Sequence, residues 1–249
     1  MNWKKLQNGS DIRGVALEGI EGEHVNLTPE VIETIAKSFV RWIRNNSDCE
    51  TPTIAVGMDC RLSGSSIKSA FVKGAVEAGA NVVDCGLAST PAMFMTTISE
   101  HVKATASVMV TASHLPFNRN GLKFFTPKGG LDSKDIASIL TIAENGEFAF
   151  EGAKGSSSTL DFMDIYSRHI ADYICGGVNA DDYQHPLKGM HIIVDAGNGN
   201  GGFFEKILSM LGADTKGSQF LDPDGRFPNH IPNPEDREAM ASVCKAVED

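Results

Sequence analysis

The chain has 249 residues, 41% of them hydrophobic and 22% charged. That is a globular composition, which excludes collagen-like, mucin-like and fully disordered chains, and at about 150 residues per domain it leaves room for two domains. Lys and Arg number 22 against 32 Asp and Glu, a formal net charge of −10, so no nucleic acid partner held by bulk electrostatics is expected, a local basic pocket being the remaining route, and any anionic ligand must be held by a few placed cations.

The first helical signal covers residues 28–44. It opens on Thr28-Pro29-Glu30, a cap residue followed by proline and an acid, and continues with Val31, Ile35, Phe39 and Trp42 at helical spacing. Residues 53–57 form an apolar run suited to a buried strand. A helix is expected over 65–78, a strand over 81–85, a helix over 91–100 and a strand over 107–110. A further strand is expected over 122–125 and a helix over 133–144. Between Glu144 and Thr159 the pattern fails among glycines and three consecutive serines, which is linker composition. A second unit then offers a helix near 160–175, a strand at 191–195, a helix near 202–211 and a last helix from about residue 234. The alternation predicts an α/β protein with domains at 1–145 and 160–249 joined by a linker at 146–159, the second incomplete.

No run approaches the roughly 18 apolar residues that a membrane span needs, so no membrane partner is expected. Cys49, Cys60, Cys85, Cys175 and Cys244 are odd in number and widely spaced, which points to a reducing compartment rather than to disulfides or zinc. Residues 1–7 are too short and polar for a signal peptide, so the expected location is the cytoplasm, with the plastid stroma as the alternative if a transit peptide has been lost.

Two glycine-rich segments compete for attention. Gly197-Asn198-Gly199-Asn200-Gly201-Gly202 satisfies G-x-G-x-x-G, with Asp222 where a ribose-binding acid belongs, so an NAD(P)-binding oxidoreductase is one alternative. Against it, Asp195 and Asn198 are polar where close strand-to-helix packing is usually apolar. Asp222-Pro223-Asp224-Gly225-Arg226 invites reading as a carboxylate pair for a hard cation, but Pro-Asp-Gly is turn chemistry and favours a surface turn.

The segment with the most chemistry is Thr111-Ala112-Ser113-His114-Leu115-Pro116. A strand that ends in small residues and a hydroxyl puts Ser113 at the mouth of an α/β sheet, where such folds bind ligands. Asn118-Arg119-Asn120-Gly121 then makes a polar turn, and Lys123 follows on the next strand. Serine, imidazole and amine are the parts of phosphoryl transfer: acceptor oxygen, proton acceptor and cation. Arg13, in an expected N-terminal turn, and Arg61, between a strand end and a helix start, add guanidinium forks suited to phosphate oxygens.

These segments together resemble the α-D-phosphohexomutase superfamily, which comprises the phosphoglucomutases, phosphomannomutases and phosphoglucosamine mutases. The resemblance rests on Ser-Asp-Ile-Arg-Gly (10–14), Gly-Met-Asp-Cys-Arg-Leu-Ser-Gly (57–64), Thr-Ala-Ser-His-Leu-Pro (111–116), Asn-Gly-Leu-Lys-Phe (120–124), Val-Asp-Ala-Gly-Asn-Gly (194–199) and Pro-Asp-Gly-Arg-Phe-Pro-Asn-His-Ile-Pro-Asn-Pro-Glu (223–235). It implies a mixed-sheet αβα domain that carries a phosphoserine loop, followed by an incomplete second αβα domain. It implies that Ser113 carries the phosphoryl group, that Lys123, ranked above His114, serves proton transfer, and that Arg13 and Arg61 balance charge on the phosphoserine. It implies interconversion of hexose 1-phosphate and hexose 6-phosphate through a hexose 1,6-bisphosphate, with Mg²⁺ bound in part by the Ser113 oxygen or its phosphate. The aspartate-rich metal loop of the family falls beyond the last residue, so the chain is expected to be a portion without turnover of its own. The alternative is a truncated, non-catalytic sugar-phosphate-binding or interaction protein. Leu115 stands where the family loop has asparagine, which places the chain in a divergent phosphoglucomutase-like branch.

Overall fold

The chain opens with two short strands, β1 (Gln7–Asn8) and β2 (Asp11–Val15), paired antiparallel with Gln7 opposite Ile12. They belong to a computed structural model that describes residues 1–248. β2 corrects the expected N-terminal turn around Arg13. Its two apolar residues, Ile12 and Val15, are both buried, but they stand three apart with Arg13 and Gly14 between them, which gives almost no strand signal by itself. The partner strand supplies what the local sequence lacks.

Helix α1 (Pro29–Asn46) begins as its cap predicts, with the Thr28 hydroxyl accepting the Val31 N–H at 3.4 Å. Strand β3 (Thr53–Met58), helix α2 (Gly64–Glu77), strand β4 (Asn81–Leu87) and helix α3 (Thr90–Met95) follow. α3 stops short of the expected residue 100. The hydroxyls of Thr96 and Thr97 bond back to the carbonyls of Met93 and Phe94, each at 2.7 Å, and the chain leaves through tight turns. Strand β5 (Ala106–Val110), strand β6 (Arg119–Thr126) and the two-residue β7 (Gly129–Gly130) lead to helix α4 (Ser133–Asn145). Asp132 and Asp135 form a reciprocal capping box at the start of α4, and Gly146 closes it in a left-handed conformation.

The expected linker is partly a strand. Ser157–Thr159 forms β8, parallel to β4 through Val82↔Ser157 and Asp84↔Thr159. Its three side chains are exposed and polar, so hydrogen bonding to an otherwise open sheet edge, and not burial, makes it a strand. The sheet runs β1-β2-β6-β5-β3-β4-β8, with β7 beside β6. β5, β3, β4 and β8 are parallel, whereas β1, β2 and β6 pair antiparallel. α1, α2 and α4 pack over one face, around a core that includes Phe39, Phe71 and Phe124; the Phe39 and Phe124 ring centroids lie 4.6 Å apart. α3 lies against the other face, where a Cβ on Gly57 would come within 2.5 Å of Met93 Sδ.

By packing, the chain divides into two units: Met1–Ala112 with Phe117–Asp161, and Ser113–Pro116 with the residues from Phe162 onward. The second unit contains helices α5 (Phe162–Val178), α6 (Phe203–Met210) and α7 (Arg237–Glu248). Its core of Ala171, Cys175, Leu187, Ile207, Leu211 and Ala213 is small. The strand expected at 191–195 reduces to isolated parallel bridges, His191↔Asp214 and Asp195↔Gln219. Between them the Ser218 hydroxyl, not a backbone carbonyl, takes the Val194 N–H at 3.0 Å, and a turn over 215–218 interrupts the ladder. Asp249, the last residue of the expected second domain, lies outside the described residues.

Candidate active site

Register brings the first cations together. β2 and β6 are antiparallel with Asp11 opposite Lys123 and Arg13 opposite Gly121. The buried Asp11 carboxylate accepts from Lys123 Nζ at 2.5 Å on one oxygen and from Arg13 Nη2 at 2.9 Å on the other. Side chains two apart on a strand share a face, so Asp11 holds Arg13 from its own strand and Lys123 from the next. The close pairing depends on Gly121, where a Cβ would lie 2.3 Å from the Ile12 carbonyl oxygen and 2.9 Å from Arg13 Cγ.

Arg61 is held by a second carboxylate. The chain leaves β3 at Met58, beside Val110 at the end of β5, and the Asp59 N–H donates to the Val110 carbonyl at 3.0 Å. Asp59 Oδ2 accepts the Thr111 hydroxyl at 2.6 Å and lies 3.3 Å from Arg61 Nε, while Oδ1 accepts the Arg61 N–H at 3.1 Å. Arg61 Nη1 donates to the Arg119 carbonyl at 3.2 Å. The Arg61 side chain has no solvent exposure. Burial pushes its pKa down; the charge of Asp59 opposes this, and the like charge of Arg13 adds to the lowering. Burial likewise raises the Asp59 carboxyl against the Thr111 hydroxyl and Arg61. Three cations therefore gather at the carboxyl end of β5 with two carboxylates among them, an arrangement that favours a further anion.

Ser113 follows Thr111 by two residues, so chain connectivity keeps their Cα atoms within about 7 Å. Ser113 is exposed and adopts φ +56°, a left-handed conformation uncommon for a residue with a Cβ. Such strain persists where surrounding structure imposes it, and it concentrates at functional sites. His114 is exposed beside it. The structure thus brings Arg13, Arg61 and Lys123 together in the first unit, whereas Ser113 and His114 belong to the second. Sequence reasoning missed Asp11, Asp59 and Thr111. The signal was present in the two Asp-x-Arg spacings, which set a carboxylate beside each arginine.

Among the described residues no three His, Cys, Asp or Glu side chains gather as a metal site. The G-x-G-x-x-G segment does not present an open face. Gly197 has φ +51°, and a Cβ there would lie 2.8 Å from His230 Cε1. Asn198 turns its amide to the Asp222 carbonyl at 2.9 Å and accepts from Asn229 at 2.7 Å. Asp224 lies in a tight turn, its carboxylate accepting the Arg226 N–H at 2.9 Å.

Residues 4–150 match phosphoglucomutase/phosphomannomutase alpha/beta/alpha domain I, and residues 164–249 match domain II. The chain is 33% identical to a phosphomannomutase of Salmonella typhimurium, over 93% of this chain and 49% of that protein. It is 31% identical to a phosphoglucomutase of Neisseria meningitidis serogroup B, over 95% of this chain and 47% of the relative. A crystal structure of a phosphoglucomutase/phosphomannomutase family protein from Burkholderia thailandensis superposes with a TM-score of 0.76 at 26% identity, covering 95% of this chain and 48% of the other. The chain spans about half the length of the curated relatives it matches.

Proposed function

This chain belongs to the phosphoglucomutase/phosphomannomutase family, and on that footing we propose that it supplies the phosphoserine half of a hexose-phosphate mutase. The observation that carries the proposal is the gathering of Arg13, Arg61 and Lys123 at the end of β5, immediately before Ser113. A transferring phosphoryl group spreads negative charge over its oxygens, so positioning and fixed cations supply most of the rate.

In the proposed reaction a sugar hydroxyl attacks phosphoserine 113. A phosphorus–oxygen bond forms to the sugar as the bond to Ser113 Oγ breaks, giving a hexose 1,6-bisphosphate. The hydroxyl proton must reach the departing Oγ, and Lys123, with His114 second, is the proposed carrier. The bisphosphate then presents its other phosphate and the same steps run in reverse, which leaves the sugar isomerised and Ser113 phosphorylated again. Arg13 and Arg61 hold the phosphoryl oxygens throughout. Mg²⁺ enters the proposal only through the Ser113 oxygen or its phosphate as one ligand. A cytoplasmic location and a hexose phosphate substrate belong to the same reading.

The alternative reading is a sugar-phosphate binder without turnover. Assay of hexose 6-phosphate formed from hexose 1-phosphate separates the two. Turnover that disappears in Ser113→Ala supports the mutase, and turnover retained by that variant overturns it. Bisphosphate binding without turnover, weakened by Arg13→Gln and Arg61→Gln in calorimetry, supports the binder.

A further inference from the structure

Residues 16–28 join β2 to α1 without regular structure and fold back over the turn that returns the chain from Ser113 to β6. The N–H groups of Ala16 and Leu17 both donate to the Asn118 carbonyl, at 2.8 and 3.1 Å. Gly19, with φ +129°, approaches so closely that a Cβ would lie 3.1 Å from Phe117 Cζ. At the tip of the fold, Glu23 takes the turn in a fork. Its Oε2 accepts from Asn118 Nδ2 at 2.7 Å and from Arg119 Nε at 3.0 Å, and its Oε1 accepts from Arg119 Nη2.

This is more than a surface ion pair. Asn118 is fully buried, so one arm of the fork is anchored in the interior. The connection is braced from behind, since Asn26 Oδ1 accepts the Val15 N–H at 2.8 Å and Glu18 Oε1 accepts the Val25 N–H at 3.3 Å. Its far end reaches the cation cluster, because the Arg119 carbonyl that follows Asn118 is the acceptor for Arg61 Nη1. A bidentate carboxylate–guanidinium pair fixes orientation as well as distance. One carboxylate therefore sets both the return limb of the serine loop and the carbonyl on which Arg61 is aimed.

We infer that Glu23 is a positioning residue for phosphotransfer, locking Asn118 and Arg119 so that the limb at 117–119, by which the chain returns from the serine segment, and the Arg61 guanidinium keep their places. The inference rests on the phosphotransfer reading of Ser113 and Arg61, but its structural half is measurable without any transfer. Isolated exposed pairs add little to global stability, so the expected effect is on loop geometry and rate while the fold persists.

The test uses the full chain as wild type, Glu23→Ala and Glu23→Gln. Amide hydrogen exchange is followed over residues 113–119 and over β3, and Ser113 phosphorylation by glucose 1,6-bisphosphate is followed by intact mass. In Glu23→Ala, exchange over 113–119 rises about tenfold while that of β3 is unchanged, as local release predicts. Phosphorylation slows by about tenfold or more, the sensitivity expected of a misplaced reacting group. Glu23→Gln falls between, because it keeps an acceptor for Asn118 but loses the charge facing Arg119. Unchanged exchange over 113–119, or a rise shared equally with β3, overturns the inference. Should wild type itself take up no phosphate, the phosphotransfer reading fails, and the exchange data still decide whether Glu23 positions the turn.

Discussion

Asp11 and Lys123 stand opposite each other on β2 and β6, joined by a 2.5 Å ion pair, while the second oxygen of Asp11 holds Arg13 at 2.9 Å. The relation assigns Asp11 a task distinct from that of the cations. It keeps two positive groups at fixed positions on one face of the sheet before any ligand arrives, which lowers the cost of organising them around an anion.

Asp11→Asn removes that charge and leaves two partly buried cations facing each other. Chemical denaturation of the full chain should show a loss of about 3 kcal/mol, the scale for breaking a buried ion pair from one side. The double variant Asp11→Asn with Lys123→Met should recover part of it, because one stranded charge is gone. Equal stability of Asp11→Asn and wild type would remove Asp11 from this account.

Gly121 allows the close approach of β2 and β6. With a Cβ, Gly121→Ala would meet the Ile12 carbonyl at 2.3 Å and the Thr111 carbonyl at 3.1 Å, neither of which is a flexible side-chain end. We expect a loss of about 2 kcal/mol, typical of overpacking, together with slower phosphorylation of Ser113 because Arg13 is displaced. Gly130→Ala meets nothing nearer than 3.8 Å and serves as the control, with a change below about 0.5 kcal/mol. Equal effects of the two substitutions in thermal unfolding would contradict the packing argument.

Much of the first unit can be read in its sequence, and particular residues explain why. Thr28-Pro29 announces α1 by cap chemistry, and the apolar runs of β3 and β5 announce buried parallel strands. β2 and β8 escape because their order comes from partners: the two apolar residues of β2, Ile12 and Val15, do not alternate with polar ones, and Ser157–Thr159 has none. The run Ile192-Ile193-Val194 suggests a strand too strongly, since pairing fails at Ser218 for a reason that no local pattern records. At the site, the cations Arg13, Arg61 and Lys123 can be picked out by type. The carboxylates that hold them can be assigned only once register sets Asp11 against Lys123 and the β3 exit sets Asp59 against Thr111.

In the second unit, His230 Nε2 lies 3.1 Å from Asp195 Oδ1, and Asp195 also accepts the Gly197 N–H and a Gln219 amide. Burial alone would lower the pKa of His230, but the Ile231 carbonyl and the Asp195 carboxylate outweigh it and raise it above its ordinary 6.5. A group raised on folding contributes stability fully present below its unfolded value and lost as pH rises through the folded one. The second unit should therefore lose thermal stability as the pH rises above the ordinary histidine value of 6.5. His230→Gln should flatten that profile, and an unchanged slope in the variant would show that another group is responsible.

The most direct measurement is intact mass of the chain after incubation with a hexose 1,6-bisphosphate, with fragmentation to locate any added group. The account predicts a single phosphate on Ser113 in wild type, greatly slowed in Arg61→Gln and absent in Ser113→Ala. No phosphate on Ser113, or equal uptake by Ser113→Ala, would contradict it.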